Sequence, residues 1–368
     1  MRDFRNYDRV TCHFSPGTNL ILGRNGTGKS NLLEAIYILS TSKSFRNAQD
    51  QKITKWEKDG YFIRGVFSSE NGEYDISIEF SGENKVLSIN GVQEKRISNI
   101  IGYVYCVLYF FEDVYLIIGT PGMRRNFLDL ILSMEDPLYF RNLKVYLNVL
   151  RQKNKYLKDS ATIDNELLFS WNEQLISLGF YLIKKRVMLI DFINSYIEAS
   201  IKELGKELIF PFRIIYKSNI PGVAVQKENS SIEDAYREAL KDGAMREVKF
   251  QTAIFGPHRD DFQFTEGEYE VRHFGSIGEA RLSSIILKLA QAEYYRKIKN
   301  ITPILLIDDI LLELDMNNME RALSLFEGKA QKLVTTTERL KLPEIFSCDQ
   351  VFYINSRGNI FTENESEN

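Results

Sequence analysis

Gly23-Arg24-Asn25-Gly26-Thr27-Gly28-Lys29-Ser30 is the stretch that decides the fold. It fits the phosphate-loop pattern at every fixed position. Gly23, Gly26 and Gly28 let the backbone take conformations that a side chain forbids, turning amide N–H groups inward as a nest for phosphate oxygens. Lys29 offers a point charge to the β- and γ-phosphates, and the Ser30 hydroxyl offers a ligand to magnesium. Arg24, Asn25, Thr27 and Asn31 complete the expected nucleotide contact. On one side, residues 18–22 read as a strand running straight into the loop. On the other, Leu32, Leu33, Ile36, Tyr37 and Ser40 recur with the spacing of a helix face, so the positive end of that helix meets the phosphates. The expected cofactors are ATP and Mg2+.

A second motif lies far downstream. Ile304-Leu305-Leu306-Ile307 is short and wholly apolar, as a central parallel strand is, and it delivers Asp308 and Asp309 to the sheet edge where a phosphate loop sits. Asp308 is the expected magnesium-side acid. Asp309 is read in two ways, as the group that polarises an attacking water and as a second, water-bridged magnesium ligand. Between the two motifs stands Phe274-Gly275-Ser276-Ile277-Gly278-Glu279-Ala280-Arg281, a helix start. Ser276, Gly278 and Glu279 there read either as a plain capping arrangement or as a second phosphate-binding surface.

Length and composition fit an ordinary two-lobed globular chain: 368 residues, 44% hydrophobic and 26% charged. Residues 10–14 also read as a strand. From Tyr61 to Gln93, alternating runs are separated by Asn71-Gly72, Ser81-Gly82 and Asn90-Gly91, the signature of an antiparallel sheet with tight hairpins. Residues 121–249 read mostly as helix, after which the α/β pattern returns. The expected division is therefore a discontinuous nucleotide domain, 1–120 with 250–368, carrying a helical insertion lobe at 121–249. The longest apolar run, Ile101 to Phe111, is half of what a bilayer crossing needs and reads as a buried strand. With no signal-peptide pattern, the expected location is cytoplasmic, with no membrane association. Three scattered cysteines, Cys12, Cys106 and Cys348, argue against a disulfide framework and a zinc site.

The net charge of −3 excludes a whole-molecule field that attracts nucleic acid, so any such contact is a local patch. Candidates are Arg124-Arg125, the run Arg151, Lys153, Lys155, Lys158, and Lys184-Lys185-Arg186. Each also reads as the solvated face of a helix.

The order of these motifs resembles the ATP-binding-cassette heads of the SMC-like ATPases, and more narrowly the RecF family. Supporting stretches are Phe4-Arg5-Asn6-Tyr7, residues 31–37, Lys43-Ser44-Phe45-Arg46, residues 113–119, Arg124 to Asp129, and Gly256 to Asp261. The fold so implied is α/β: an ABC-type (SMC-like) ATPase head with an antiparallel β subdomain and an inserted, mostly helical second lobe. The resemblance also implies that Ser276 and Gly278 of a second copy cap the γ-phosphate, making ATP the glue of a homodimer with Asp315 at its seam. It implies slow, DNA-stimulated hydrolysis, binding to duplex DNA beside single-stranded gaps, and cooperation with RecR and RecO in loading RecA. Phe110-Phe111 stand where the family usually has Ser-Pro, and Glu279 where a glutamine is common; neither change removes a charge that nucleotide binding needs. The triplet Thr335-Thr336-Thr337 replaces the switch histidine of transporters. His258, beside Arg259, Asp260 and Asp261, reads as an organising residue and not as a catalytic base. Competing functions are a small-molecule phosphotransferase, and an ATPase of defence or chromosome organisation.

Overall fold

The computed structural model describes residues 1–69, 72–160, 162–204, 212–223, 232–267, 269–274, 277–309, 330–337, 348–355 and 358–362. The chain forms two compact units, residues 1–113 with 291–368, and residues 114–290. The second unit is wider than the 121–249 span read from the sequence, because a strand at 261–266 pairs inside it.

In the first unit a six-stranded sheet runs in the order Ile360–Thr362, Gln350–Ile354, Thr18–Leu22, Lys332–Thr336, Ile304–Ile307, Cys106–Tyr109. All neighbours are parallel except the pair at the Ile360–Thr362 edge. Thr18–Leu22 is buried at every position, which is why it reads as a continuous run without alternation. The acid-bearing strand, Ile304–Ile307, has the bounds expected for it. The run from Ile101 yields a shorter strand, Cys106–Tyr109.

A second six-stranded sheet is antiparallel throughout, in the order Tyr7–Arg9, Arg2–Phe4, Gly60–Ser69, Gly72–Ser81, Asn84–Ile89, Val92–Gln93. Ile89 pairs with Val92 across Asn90-Gly91. Both turn residues have positive φ, 51° and 78°, the requirement of a type I′ hairpin. Residues 10–14 are not a strand, contrary to their apolar pattern. The ladder closes where the Val10 N–H donates to the Met1 carbonyl at 3.0 Å, and beyond it the segment is irregular. The helix Lys29–Thr41 packs against strands of both sheets, and Leu33, Ile38 and Leu39 join the core that both enclose.

The second unit is built on the helices Pro121–Glu135, Pro137–Asp159, Asn165–Leu204 and Ile232–Phe250. It also holds a small antiparallel sheet absent from the sequence reading: Arg213–Lys217, Asp261–Glu266 and Tyr269–Glu270. Two stretches of the family resemblance interlock here. Arg124 grips Asp261 through two bonds of 2.7 and 2.9 Å, while Arg186 clamps Asp129 and donates to the Pro257 carbonyl at 2.7 Å. No described helix is long and apolar enough to cross a membrane.

Candidate nucleotide site

The loop after Thr18–Leu22 is shaped by close approaches. A Cβ on Gly23 would sit 2.6 Å from the Thr27 hydroxyl and 2.8 Å from the Ile354 carbonyl, so only glycine fits. Gly28 holds φ at 114° as the N-cap of Lys29–Thr41, with Asn6 pressed against it. That helix starts with no side-chain cap and no acid in its first turn, so nothing of its own competes for the positive end. Lys29 is buried: its Nζ donates to the Gly23 carbonyl at 2.9 Å and stands 3.9 Å from Asp309.

The side chains behind the loop are those of two short stretches at 4–7 and 43–46. Asn6 donates to the Thr27 carbonyl at 2.8 Å, and the Tyr7 hydroxyl donates to the Gly28 carbonyl at 2.9 Å. Arg5 holds the fully buried Glu34 through two bonds, and Ser44 donates to the same carboxylate. Arg46 donates to the Asn31 side chain at 2.8 Å. Sequence reasoning used these residues as marks of resemblance and missed their place in bracing the loop.

A cavity of about 470 Å³ opens on this loop, a volume suited to a nucleotide-sized ligand. It is lined by Asn25, Gly26, Gly28, Lys29, Ser30, Asn31, Arg46, Phe111 and Asp309. Arg46 and Phe111 were not read as site residues; Phe111 is 59% exposed, an aromatic wall where the family usually has proline. Gly23, Arg24, Thr27 and Asp308 do not line the cavity. Thr27 is buried and ties the loop to the Arg24 carbonyl at 2.9 Å.

The acidic pair is set by one threonine. The Thr335 hydroxyl accepts from the Asp309 N–H at 2.9 Å and donates to Asp308 Oδ1 at 2.8 Å, holding Asp309 in a left-handed conformation at φ 47°. Burial pushes the Asp309 carboxyl above the ordinary range, with Lys29 pulling it down and Asp308 pushing it up. Among the described residues, Asp309 Oδ1 and the Thr336 hydroxyl are buried without a hydrogen-bond partner. A carboxylate oxygen with no hydrogen bond and the Lys29 ammonium 3.9 Å away, on the same cavity as the Ser30 hydroxyl, is hard oxygen chemistry. Magnesium held beside phosphates takes one or two carboxylates of this kind, so the residues fit the ion.

The remaining expected residues lie elsewhere. Gly278 and Glu279 stand in the first turn of the helix Ile277–Lys299, which begins in the second unit. Ser276 and Asp315 lie outside the described residues. His258 is in the second unit, where its Nδ1 is 2.7 Å from the Tyr146 hydroxyl and its Nε2 is 3.3 Å from the Ala253 carbonyl. Burial lowers its pKa from 6.5 to about 4. The imidazole is therefore neutral when folded and binds a proton more readily when unfolded. Its stability contribution is full above about pH 6.5 and is lost as pH falls toward 4. Between pH 7 and 4.5 the wild type should lose about 2–3 kcal/mol more in urea unfolding than His258→Gln; parallel pH curves would refute this.

Residues 1–359 match the RecF/RecN/SMC N terminal domain family. DNA replication and repair protein RecF of Moorella thermoacetica is 38% identical over 347 residues, covering 93% of this chain and 89% of the relative. RecF of Lysinibacillus sphaericus is 33% identical over 343 residues, covering 92% and 91%. The solved structure of the recombination mediator protein RecF-ATP in the RecFOR pathway aligns with TM-score 0.89 at 30% identity, over 98% of this chain and 95% of its own. An SMC head solved with the C-terminal winged-helix domain of ScpA aligns with TM-score 0.54 at 18% identity, over 100% of this chain and 98% of its own, a likeness of fold alone. The architecture is thus an ABC-type, SMC-like head, with the parallel sheet, antiparallel subdomain and helical lobe expected of it. Sequence and fold agree, and the chain belongs to the RecF family.

Proposed function

We propose that this chain is an ATP-gated DNA-binding recombination mediator of DNA repair. The observation that carries the reading is the preformed phosphate loop facing Asp309 across one cavity, in a chain that matches RecF proteins nearly end to end. Backbone N–H groups of residues 25–30 and the Lys29 ammonium bind the phosphates. Ser30 and Asp308, with Asp309 on the cavity wall beside it, would hold magnesium, which when bound would neutralise charge on the β- and γ-phosphates. Asp309 either polarises the attacking water or meets magnesium through a water. Thr335 holds the Asp308 carboxylate and the Asp309 backbone N–H, so the loop and the acidic pair are positioned before nucleotide arrives.

The nucleotide work falls to the unit of 1–113 with 291–368, and Ser276, Gly278 and Glu279 of a second copy close the site on the γ-phosphate. ATP then signals assembly on gapped duplex DNA, with slow hydrolysis resetting the dimer. RecR and RecO are the partners in loading RecA, and the cytoplasm is the place of action. The solved RecF-ATP relative supports ATP as the nucleotide. A phosphotransferase is disfavoured because a second lobe of this size has no role in moving phosphate to a small acceptor.

Sedimentation of the full chain with and without ATP and Mg2+, in the presence of gapped duplex DNA, tests the reading. The expected result is a doubled mass and DNA co-sedimentation with ATP alone, both lost in Ser276→Arg while ATP binding by the monomer persists. An unchanged monomer, or a Ser276→Arg dimer identical to wild type, removes the proposed gate.

A further inference from the structure

Two sets of basic residues in the second unit contrast. Arg124, Lys153 and Arg186 are consumed inside it: each is almost fully buried and ion-paired, with Asp261, Glu247 and Asp129. Lys185 is paired with Asp136. The three expected basic clusters are corrected accordingly, since Arg124, Lys153, Lys185 and Arg186, four of their nine residues, point inward or are neutralised.

Five others behave differently. Arg141, Lys144, Arg151, Lys155 and Lys158 all lie on the helix Pro137–Asp159, all are exposed, and none makes an ion pair among the described residues. At 100° per residue they fall within an arc of about 100°. That arc is opposite the buried row Tyr139, Tyr146, Val149, Leu150, Lys153 and Leu157. The stripe runs about 25 Å, and Asp159 at its end is the single acid of the whole helix. A helix face that is merely solvated gains from mixed signs, whereas Arg151 with Lys155 and Lys155 with Lys158 repel across one turn. Such a face is relieved by an anionic partner with charges at regular intervals.

Two features select the partner. Asn148 and Gln152 flank the stripe with amide donors of the kind that contact phosphate. Between Arg141 and Lys158 the face carries no aromatic side chain, so it has no platform for unpaired bases. We propose that the outer face of Pro137–Asp159 is where the sugar–phosphate backbone of duplex DNA lies, about seven base pairs along one strand. This rests on the DNA-binding reading above and assigns that binding a surface.

The test is a salt titration of full-chain binding to a labelled gapped duplex, with ATP and Mg2+, for wild type and for Arg151→Gln/Lys155→Gln/Lys158→Gln. The variant should show a log K against log salt slope smaller by about 3 and roughly a hundredfold weaker binding near 0.15 M salt, with ATP affinity and melting temperature retained. Arg141→Lys/Arg151→Lys, which keeps the charges, should bind as wild type. Wild-type DNA binding with an unchanged slope in the triple variant overturns the surface while leaving the function standing. Absence of DNA binding by the wild type overturns both. Phosphatidylglycerol vesicles are titrated in parallel: loss of vesicle binding with DNA affinity intact would assign the stripe to a membrane and overturn the proposal.

Discussion

Lys29→Met should abolish measurable ATP binding. The ammonium is the one loop group that offers charge-assisted bonds to both terminal phosphates, and each such bond contributes about 1.5–3 kcal/mol. Losing two weakens binding roughly a hundredfold or more. The substitution keeps the length and apolar stem of a buried side chain, and it gives up the bond to the Gly23 carbonyl and the ion pair with Asp309. Equilibrium titration with a fluorescent ATP analogue, with a melting curve to show that the chain is folded, decides it. Affinity within threefold of wild type would remove Lys29 from the phosphate site.

The second large effect is on stability. Lys153 and Glu247 are 0% and 3% exposed and meet at 2.6 Å; Lys153 also donates to Asn172 at 2.7 Å, and Glu247 accepts the Ile254 N–H at 3.0 Å. Lys153→Met strands a buried carboxylate and should cost about 3–5 kcal/mol in urea unfolding. Lys153→Met/Glu247→Gln keeps an acceptor for Ile254 without the charge, and should recover all but about 1–2 kcal/mol. A single variant costing under about 1 kcal/mol would mean that water reaches the pair.

What the sequence disclosed follows from how local its cause was. Ile304–Ile307 was legible because a strand buried on both faces needs a short apolar run, and Thr18–Leu22 because its Leu-Ile-Leu runs straight into the phosphate loop. Asn90-Gly91 was legible because two consecutive positive φ values have few sequence solutions. The sheet of Arg213–Lys217 with Asp261–Glu266 was not, because its pairing spans 44 residues or more and neither strand is distinctive alone. The basic run at 151–158 shows the same limit on the scale of one turn: Lys153 and Lys155 are two residues apart, yet one is buried against Glu247 and the other is exposed. At the site, the phosphate loop and Asp309 were legible from residue type and spacing. The bracing by Asn6 and Tyr7 and the threonine that sets the acids were not, since they act through backbone carbonyls and amides that carry no sequence signature, and Arg46 reaches the Asn31 side chain across 15 residues.

The parallel register has a consequence for biogenesis. The loop-bearing strand finds both of its neighbours near the other end of the chain: Thr18 pairs with Lys332, and Asn19 with Gln350. Translation at roughly 5–20 residues per second leaves it without either partner for about 15–60 seconds. Its five apolar and polar residues, all buried in the finished sheet, wait exposed or shielded by a chaperone while residues 114–290 emerge and can pack first. A ribosome that stops short of residue 332 therefore releases a chain whose phosphate loop is fully written in covalent structure and has no sheet to stand on.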